Sequence, residues 1–209
     1  MRRFSGPPRP GCWLLLGWGV LGVLGCAHEA APAPAASKAL PGRPPSAAAR
    51  YFPLAVGNRW TYQATYLGER STREVELVEF RDGSYLDKEG RALRVDTEGL
   101  RDQTRYLLHE PLVAGGTWTS VVAPGSAEHY RVVSAGGPCT APAGSFPDCI
   151  EVESRNRADS RRTLVNTVTF AAGVGIVRVR TELDEGGGKL KPTAELLLTA
   201  YQVAPAAAR

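Results

Sequence analysis

Apolar and polar side chains alternate along several stretches of this 209-residue chain, and this period of two constrains its fold most strongly. Trp60, Tyr62 and Ala64, for example, are separated by the polar residues Thr61 and Gln63. Successive side chains of a β-strand point to opposite faces, so the alternation predicts a strand with one buried and one solvated face. The sequence contains no convincing amphipathic helix, and it therefore predicts an all-β protein.

Short turn sequences separate the alternating stretches. Asp82-Gly83 lies between two apolar runs and favours a tight hairpin turn, and Gly186-Gly187-Gly188 is expected to form the loop of the last hairpin. We expect a large curved antiparallel sheet of roughly ten meandering strands, forming an open barrel or half-barrel. The predicted strands are 58–68, 72–81, 84–88, 91–96, 103–109, 117–123, 128–135, 148–156, 162–171, 174–183 and 193–203.

Residues 1–25 have the features of a secretory signal peptide. An arginine-bearing start precedes the apolar stretch 11–25. A membrane span needs roughly 20 apolar residues, so this stretch fits the hydrophobic region of a signal rather than a transmembrane helix. The run Val23-Leu24-Gly25-Cys26 resembles the lipobox of bacterial lipoproteins. The resemblance implies that Cys26 becomes the first residue of the mature chain and carries acyl chains. The alternatives are an ordinary cleaved signal with a chance cysteine, and an uncleaved anchor.

Residues 26–50 are expected to form a lipidated cysteine followed by a tether. The segment is rich in proline and alanine and contains almost no large apolar side chain, so it cannot bury enough surface to fold. Residues 51–209 then form a single β-rich domain. Ala27 is not the aspartate associated with inner-membrane retention in known lipoproteins. We therefore expect a lipid anchor in the bacterial cell envelope, in the outer rather than the inner membrane.

The charge of the chain does not indicate a nucleic-acid partner. The chain has 25 Lys and Arg and 21 Asp and Glu; removal of residues 1–25 removes three arginines and leaves 22 against 21. The remaining arginines are interleaved with acids, whereas a nucleic-acid-binding surface would show a basic stripe. We expect no nucleic-acid partner and no cofactor.

Two of the four cysteines are expected to form a disulfide bond. Cys12 lies in the signal and Cys26 is the expected lipidation site, which leaves Cys139 and Cys149. An even pair in an oxidising compartment favours a disulfide, here across a turn-rich loop, and would contribute about 3 kcal/mol. The alternative is a reactive or metal-binding pair, although the spacing does not match a Cys-x-x-Cys motif.

Three local motifs occur in order along the domain. They are Tyr51-Phe52-Pro53-Leu54 leading to Trp60 and Tyr62, Pro142-Ala143-Gly144 leading to Cys149, and Gly173-Val174-Gly175 followed by Val177. Together they resemble a group of secreted bacterial lipoproteins of uncharacterised function with YFPLxxGxxWxY, PAGxFxxC and GVGxV motifs. The resemblance spans nearly the whole domain and implies a β-rich envelope protein. It brings no catalytic residues with it.

The histidines and serines do not form a recognisable catalytic or metal-binding motif. His28 lies in the tether, His109 is followed by Glu110-Pro111 rather than a zinc-binding helix, and His129 lies in an alternating strand. There is no Gly-x-Ser-x-Gly sequence. We therefore predict no catalytic residues and no metal ligands.

Two groups of residues are candidates for binding. The first consists of aromatic residues that line either an apolar ligand face or a plain core: Trp60, Tyr62, Trp118 and Tyr130. The second is a basic cluster around Asp159 that is either a solvated hairpin or a contact for phosphate and acidic head groups: Arg155, Arg157, Arg161 and Arg162.

These observations favour a non-enzymatic, membrane-anchored binding or interaction module. A curved sheet with one apolar face suits an apolar ligand or an envelope protein as partner. The alternative is a structural or assembly accessory protein of the envelope, and an enzyme is the least favoured class.

Overall fold

The computed structural model describes residues 46–186 and 189–204. The expected signal peptide, Cys26 and most of the expected tether lie outside these residues. The described part confirms the all-β fold class: its strands form one antiparallel sheet of twelve strands, preceded by a helix of 4 residues. No helix within these residues is long and apolar enough to cross a membrane. The elements are α1 (Ala48–Tyr51), β1 (Arg59–Tyr66), β2 (Glu69–Arg81), β3 (Ser84–Asp87), β4 (Ala92–Val95), β5 (Gly99–Arg101), β6 (Tyr106–His109), β7 (Thr117–Ala123), β8 (Ser126–Ala141), β9 (Gly144–Arg157), β10 (Thr163–Ala171), β11 (Gly175–Asp184) and β12 (Leu190–Gln202).

The sheet is a meander whose two ends approach each other. The strand order is β6-β5-β4-β3-β2-β1-β12-β11-β10-β9-β8-β7, so β6 and β7 are the edges although they follow each other in sequence. The sheet is nearly closed as a barrel. The line along which β6 faces β7, here called the seam, is crossed by side-chain contacts: the Trp118 indole Nε1 donates a hydrogen bond to the Tyr106 carbonyl at 3.0 Å.

Some predicted strand boundaries were wrong. β5 was not predicted, and the strand expected at 103–109 begins only at Tyr106. The expected loop between Cys139 and Cys149 is mostly strand, because β8 runs to Ala141 and β9 starts at Gly144. β8 remains paired through this region because register shifts absorb Gly136 and Pro138 as irregularities of the ladder.

The core lies on the inner face of the curved sheet. The alternation in β1 has the predicted effect, because Trp60, Tyr62 and Ala64 are buried while Thr61, Gln63 and their outward neighbours are half-buried or exposed. The largest buried side chains come from strands all around the sheet and include Trp60, Leu77, Leu100, Ile150, Phe170 and Leu198. One contiguous cluster therefore holds the strands together.

The chain enters the sheet through α1, within the segment expected to be a tether. Ser46 Oγ donates to Glu110 Oε1 at 2.8 Å, and the backbone N–H of Ala48 donates to the same oxygen at 3.1 Å. Ala48, Tyr51 and Phe52 are buried against the sheet. The folded part thus includes residues just before position 51.

Charged residues line the outer face and cover uncharged side chains that lie between them. Val165 of β10 is fully buried although its register neighbours are Arg155 and Glu182, which point to the same outer face. Long charged side chains can cover apolar atoms with their stems while their charged ends remain solvated. The charge interleaving in the sequence therefore corresponds to a solvated sheet face.

Candidate functional site

The fold brings the three sequence motifs together where α1 meets the sheet. The Tyr51 hydroxyl, from the first motif, donates to Asp148 Oδ1 of the second motif at 2.8 Å. Arg50 forms an ion pair with the other oxygen of Asp148. Burial and the hydrogen bond to Asp148 raise the pKa of Tyr51. This contact fixes the entering segment on the side of β9.

The third motif receives the indole of Trp60. Trp60 Nε1 donates to the Val174 carbonyl at 2.7 Å, and the Phe52 ring packs on the indole with centroids 5.1 Å apart. Gly175 has a φ of 114°, and a Cβ at this position would lie 3.1 Å from Trp60 Nε1 and 3.3 Å from the Phe52 ring. The glycine is needed here for both its backbone conformation and its lack of a side chain. The three motifs therefore form one structural junction, at which the entering segment packs on the sheet.

Trp60 and Tyr62 are core residues. Trp60 is 0% exposed and Tyr62 5%. The Tyr62 hydroxyl donates to the Ile176 carbonyl at 3.0 Å, and burial raises the pKa of Tyr62. The polar atom of each ring is thus satisfied by a backbone carbonyl, as is usual for aromatic residues in a core.

Trp118 and Tyr130 lie together at the seam. Their rings stack with centroids 4.9 Å apart and an interplanar angle of 6°. The His109 ring stacks with the Trp118 indole, with centroids 6.0 Å apart. Trp118 and His109 are half-buried and Tyr130 is buried. The sequence predicted two of these three rings as candidates, and the fold adds His109 from the facing edge strand.

Glu128 links the two sides of the seam. Arg105, in the β5–β6 loop, donates through Nη1 to both Glu128 oxygens, at 2.7 and 2.8 Å. The Tyr130 hydroxyl also donates to Glu128, and Asn156 Nδ2 lies 3.5 Å from its other oxygen. Burial and the hydrogen bond to Glu128 raise the pKa of Tyr130. Asp102 accepts a further bond from Arg105 Nε at 3.2 Å.

The seam cluster of Arg105, Glu128, Tyr130 and Asn156 holds the two ends of the sheet together. Each Glu128 oxygen already accepts hydrogen bonds from protein groups on the described part of the chain. Sequence reasoning did not identify Arg105 or Glu128. A signal was present for Glu128, which precedes Tyr130 and Val132 at two-residue spacing and so lies at an inward position of an alternating strand.

The structure divides the predicted basic cluster. Arg155 pairs with Glu153 at 2.7 Å, and Arg162 pairs with Asp159 at 2.6 Å. Hydrogen bonds from the Arg161 backbone and from Arg162 lower the pKa of Asp159 to about 2. Arg157 and Arg161 are exposed, and no ion pair is formed by either within the described residues. Two of the four guanidinium groups are therefore engaged in local pairs.

The predicted disulfide between Cys139 and Cys149 is confirmed, with the Cα atoms 6.0 Å apart. It links β8 to β9 beside the junction of motifs. Cys139 faces Phe146 in the register and Cys149 faces Gly137, so the bond crosses the part of the ladder where the register shifts. The disulfide thus reinforces a hairpin whose backbone pairing is irregular.

Two hollows of the described surface differ in their linings. One, of about 340 Å³, is mainly polar and borders Tyr62, Gln63, Arg70, Ser71, Thr72 and Thr199. The other, of about 400 Å³, combines charged residues of β11 and β12 with a larger apolar part that includes Leu67, Pro192 and Ala194. Ligand pockets span roughly 300–1,000 Å³ but are lined mostly by apolar side chains. The volumes would suffice for a small ligand, and only the first lining is mainly polar.

The histidines and acids within residues 46–186 and 189–204 do not form a metal centre. His129 lies on the outer face, with Nδ1 at 3.1 Å from the Thr119 hydroxyl, and His109 Nδ1 is 2.8 Å from the Glu110 carbonyl. No group of three or more His, Cys, Asp or Glu side chains in this part of the chain is arranged to hold a metal ion.

Comparison with known proteins gives little further information. No family model matches the chain, and no curated protein matches it either. A crystal structure of "a putative lipoprotein from Parabacteroides distasonis ATCC 8503" is similar over 73% of this chain and 98% of the other, with 13% sequence identity and a TM-score of 0.37. A similarity of this strength carries no argument about function.

Proposed function

We propose that this protein is a lipoprotein of the bacterial envelope, held on the outer membrane by acyl chains on Cys26. Its β domain serves as a non-enzymatic interaction module with an envelope protein as partner. The anchor rests on the lipobox-like run that ends at Cys26 and on the Pro- and Ala-rich segment that follows it. Several acyl chains on one cysteine would hold the domain stably at a membrane.

One observation favours a protein partner over an apolar ligand as the binding target. Two of the four aromatic residues that could have lined a ligand cavity, Trp60 and Tyr62, fill the core and bond to the backbone of the third motif. The other two, Trp118 and Tyr130, stack on each other at the seam. Of two hollows on the described surface, the one beside Gln63, Arg70 and Thr72 is mainly polar, and the other combines the charges of Arg178, Arg180, Glu182 and Glu195 with apolar surface. Recognition through the outer face and the strand edges, where charged side chains are exposed, therefore fits this domain better than carriage of an acyl chain.

The anchor is tested by replacing Cys26 with serine in the full chain, expressed in a bacterium that processes lipoproteins. We expect the wild-type protein to incorporate an alkyne-labelled fatty acid and to sediment with outer membranes, and C26S to lose the label. The matched control is Cys12→Ser, within the expected signal, which should leave labelling and fractionation unchanged. Equal labelling of C26S and wild type would contradict the anchor.

The interaction proposal is tested by native mass spectrometry of the membrane-extracted protein. A module that binds a protein partner should appear without a bound lipid in its core in every preparation. Reproducible co-purification of one lipid per domain, lost when Trp60 is replaced by Phe, would contradict the proposal and favour a carrier.

A further inference from the structure

The first half of β2 has a neighbouring strand on one side only. Residues 69–76 pair with β1, whereas β3 pairs with β2 only from Leu77 to Arg81. Within the described residues, the backbone groups on the other side of 69–76 therefore have no strand partner. Every residue from Glu69 to Glu74 is exposed. Such an edge is a ready template for a further strand.

The hairpin before β2 determines which backbone groups face this free edge. Leu67 and Gly68 both have positive φ angles, 48° and 90°, and they connect the register partners Tyr66 and Glu69. In a two-residue hairpin of this type the flanking residues exchange backbone hydrogen bonds. The odd-numbered residues from 69 onward therefore direct their N–H and C=O groups to β1, and the even-numbered residues direct theirs to the free edge.

Two charged residues of this edge are complementary to the same two residues of a second copy that runs antiparallel to it. Glu69 and Arg73 lie on the same face, two residues to either side of Ser71. Among the described residues neither side chain forms a hydrogen bond or an ion pair. If a second copy pairs antiparallel about Ser71, each Glu69 lies opposite Arg73 of the other copy. A parallel, in-register pair would instead set like charges against each other, which is destabilising.

We propose that the free edge of β2 pairs with the same edge of a second copy of this chain, antiparallel and about a two-fold axis at Ser71. The interface is then the same patch on both copies, and the two sheets become continuous. The segment 69–76 contains no proline and pairs with β1 without a register shift, so nothing in its backbone bends the edge away.

Glu74 is less suited to such pairing. Its carboxylate already lies 3.1 Å from Lys88 Nζ and 4.0 Å from Arg59 Nε. A register centred one residue later, on Thr72, would set Arg70 against Glu74 and compete with these contacts. The unengaged pair, Glu69 and Arg73, therefore selects the register centred on Ser71. This self-association goes beyond the proposed function and does not depend on the lipid anchor.

Cysteine cross-linking of the full chain tests this arrangement. In the proposed register the two copies of Ser71 form a non-hydrogen-bonded pair with Cα atoms about 4.5 Å apart, within the range of a disulfide. Thr72 faces Arg70 of the second copy, so two cysteines at position 72 would be separated by a diagonal of about 7–8 Å. We expect S71C to form a disulfide-linked dimer on mild oxidation, and T72C and the wild type to remain monomeric on non-reducing gels.

Charge reversals in the S71C background test the register. R73E places Glu69 against a glutamate in both symmetry-related pairs, and we expect roughly fivefold less cross-linked dimer. The double variant E69R/R73E restores opposite charges and should recover the dimer. R70E, the matched control on the opposite face, should leave cross-linking within about twofold of S71C.

Several results would overturn the proposal. One is that S71C remains monomeric, and another is that T72C cross-links as efficiently as S71C. A third is that E69R/R73E fails to recover the dimer lost in R73E while the variant remains folded by circular dichroism. Loss of the dimer in R70E but not in R73E would indicate another register and would overturn it as well.

Discussion

At the scale of single residues, burial determines how much an ion pair contributes to the stability of this domain. Arg105 and Arg155 each hold a carboxylate oxygen at 2.7 Å. The Glu128 side chain, which binds Arg105, is 7% exposed, whereas Glu153, which binds Arg155, is 28% exposed. A pair with one buried member leaves an uncompensated charge when it is broken, whereas water replaces an exposed partner. The two arginines should therefore differ in their contribution to stability.

We expect Arg105→Met to lower the free energy of unfolding by about 2 kcal/mol, since Glu128 loses its cationic partner and keeps only Tyr130 and Asn156. Methionine preserves much of the apolar stem. Arg155→Met is the matched control and should cost less than about 1 kcal/mol. Urea denaturation of both variants measures the difference. Equal losses would show that Glu128 is not a clamp across the seam.

Asp159 gives a second prediction at this scale, because hydrogen bonds from the Arg161 backbone and from Arg162 hold its pKa at about 2. A lowered folded-state pKa stabilises the folded turn above the ordinary value of 3.8, and this stabilisation is lost as the pH falls through about 2. We expect Arg162→Ala to raise the pKa of Asp159 towards 3.8. An NMR titration of the Asp159 carboxyl carbon measures it. An unchanged pKa in the variant would mean that Arg162 is free to bind anions.

At the scale of elements, the junction between the entering segment and β11 depends on two glycines with different surroundings. A Cβ at Gly173, where φ is 73°, would have no atom within 4 Å, whereas a Cβ at Gly175 would contact Trp60 and Phe52. Both positions strain an L-residue, and only the second also places a Cβ in tight contact with its neighbours. The close approach at Gly175 is what allows the indole to reach Val174.

We therefore expect Gly175→Ala to destabilise the domain by about 3 kcal/mol or more, from strain and overpacking together. Gly173→Ala carries the backbone strain alone and should cost about 1–2 kcal/mol. Thermal unfolding followed by Trp fluorescence reports both the stability and the environment of Trp60. A cost for G175A no larger than that for G173A would contradict the packing described for this junction.

Alternation predicted β1, because its apolar residues Trp60, Tyr62 and Ala64 recur at every second position and share one buried face. It missed β5, since three residues are too few to show a period. It also ended β8 too early, because Gly136 and Pro138 are as typical of a bulge as of a turn. In the candidate site Trp118 and Tyr130 were predicted from their own strands, whereas Arg105 could not be. Its contact with Glu128 exists only because the ends of the sheet meet.

At the scale of the whole molecule, the structure is a nearly closed sheet whose interior is occupied by its own side chains. The entering segment packs on the core through Phe52. At the seam, Trp118 of β7 binds Tyr106 of β6, and Arg105 before β6 binds Glu128 of β8. The exposed features of the described residues include the charged outer face, the free edge of β2 and apolar side chains such as Leu67 and Val121. This distribution supports a protein that acts by presenting surface to a partner at the membrane.

Lipid on Cys26 would add the mass of acyl chains to the mature N-terminus, and the intact mass of the protein purified from membranes measures this addition. We expect a mature chain that begins at Cys26, lacks residues 1–25 and carries the added mass on its N-terminal peptide, as the proposed anchor requires. A chain that retains residues 1–25, or an N-terminal peptide with an unmodified Cys26, would contradict it.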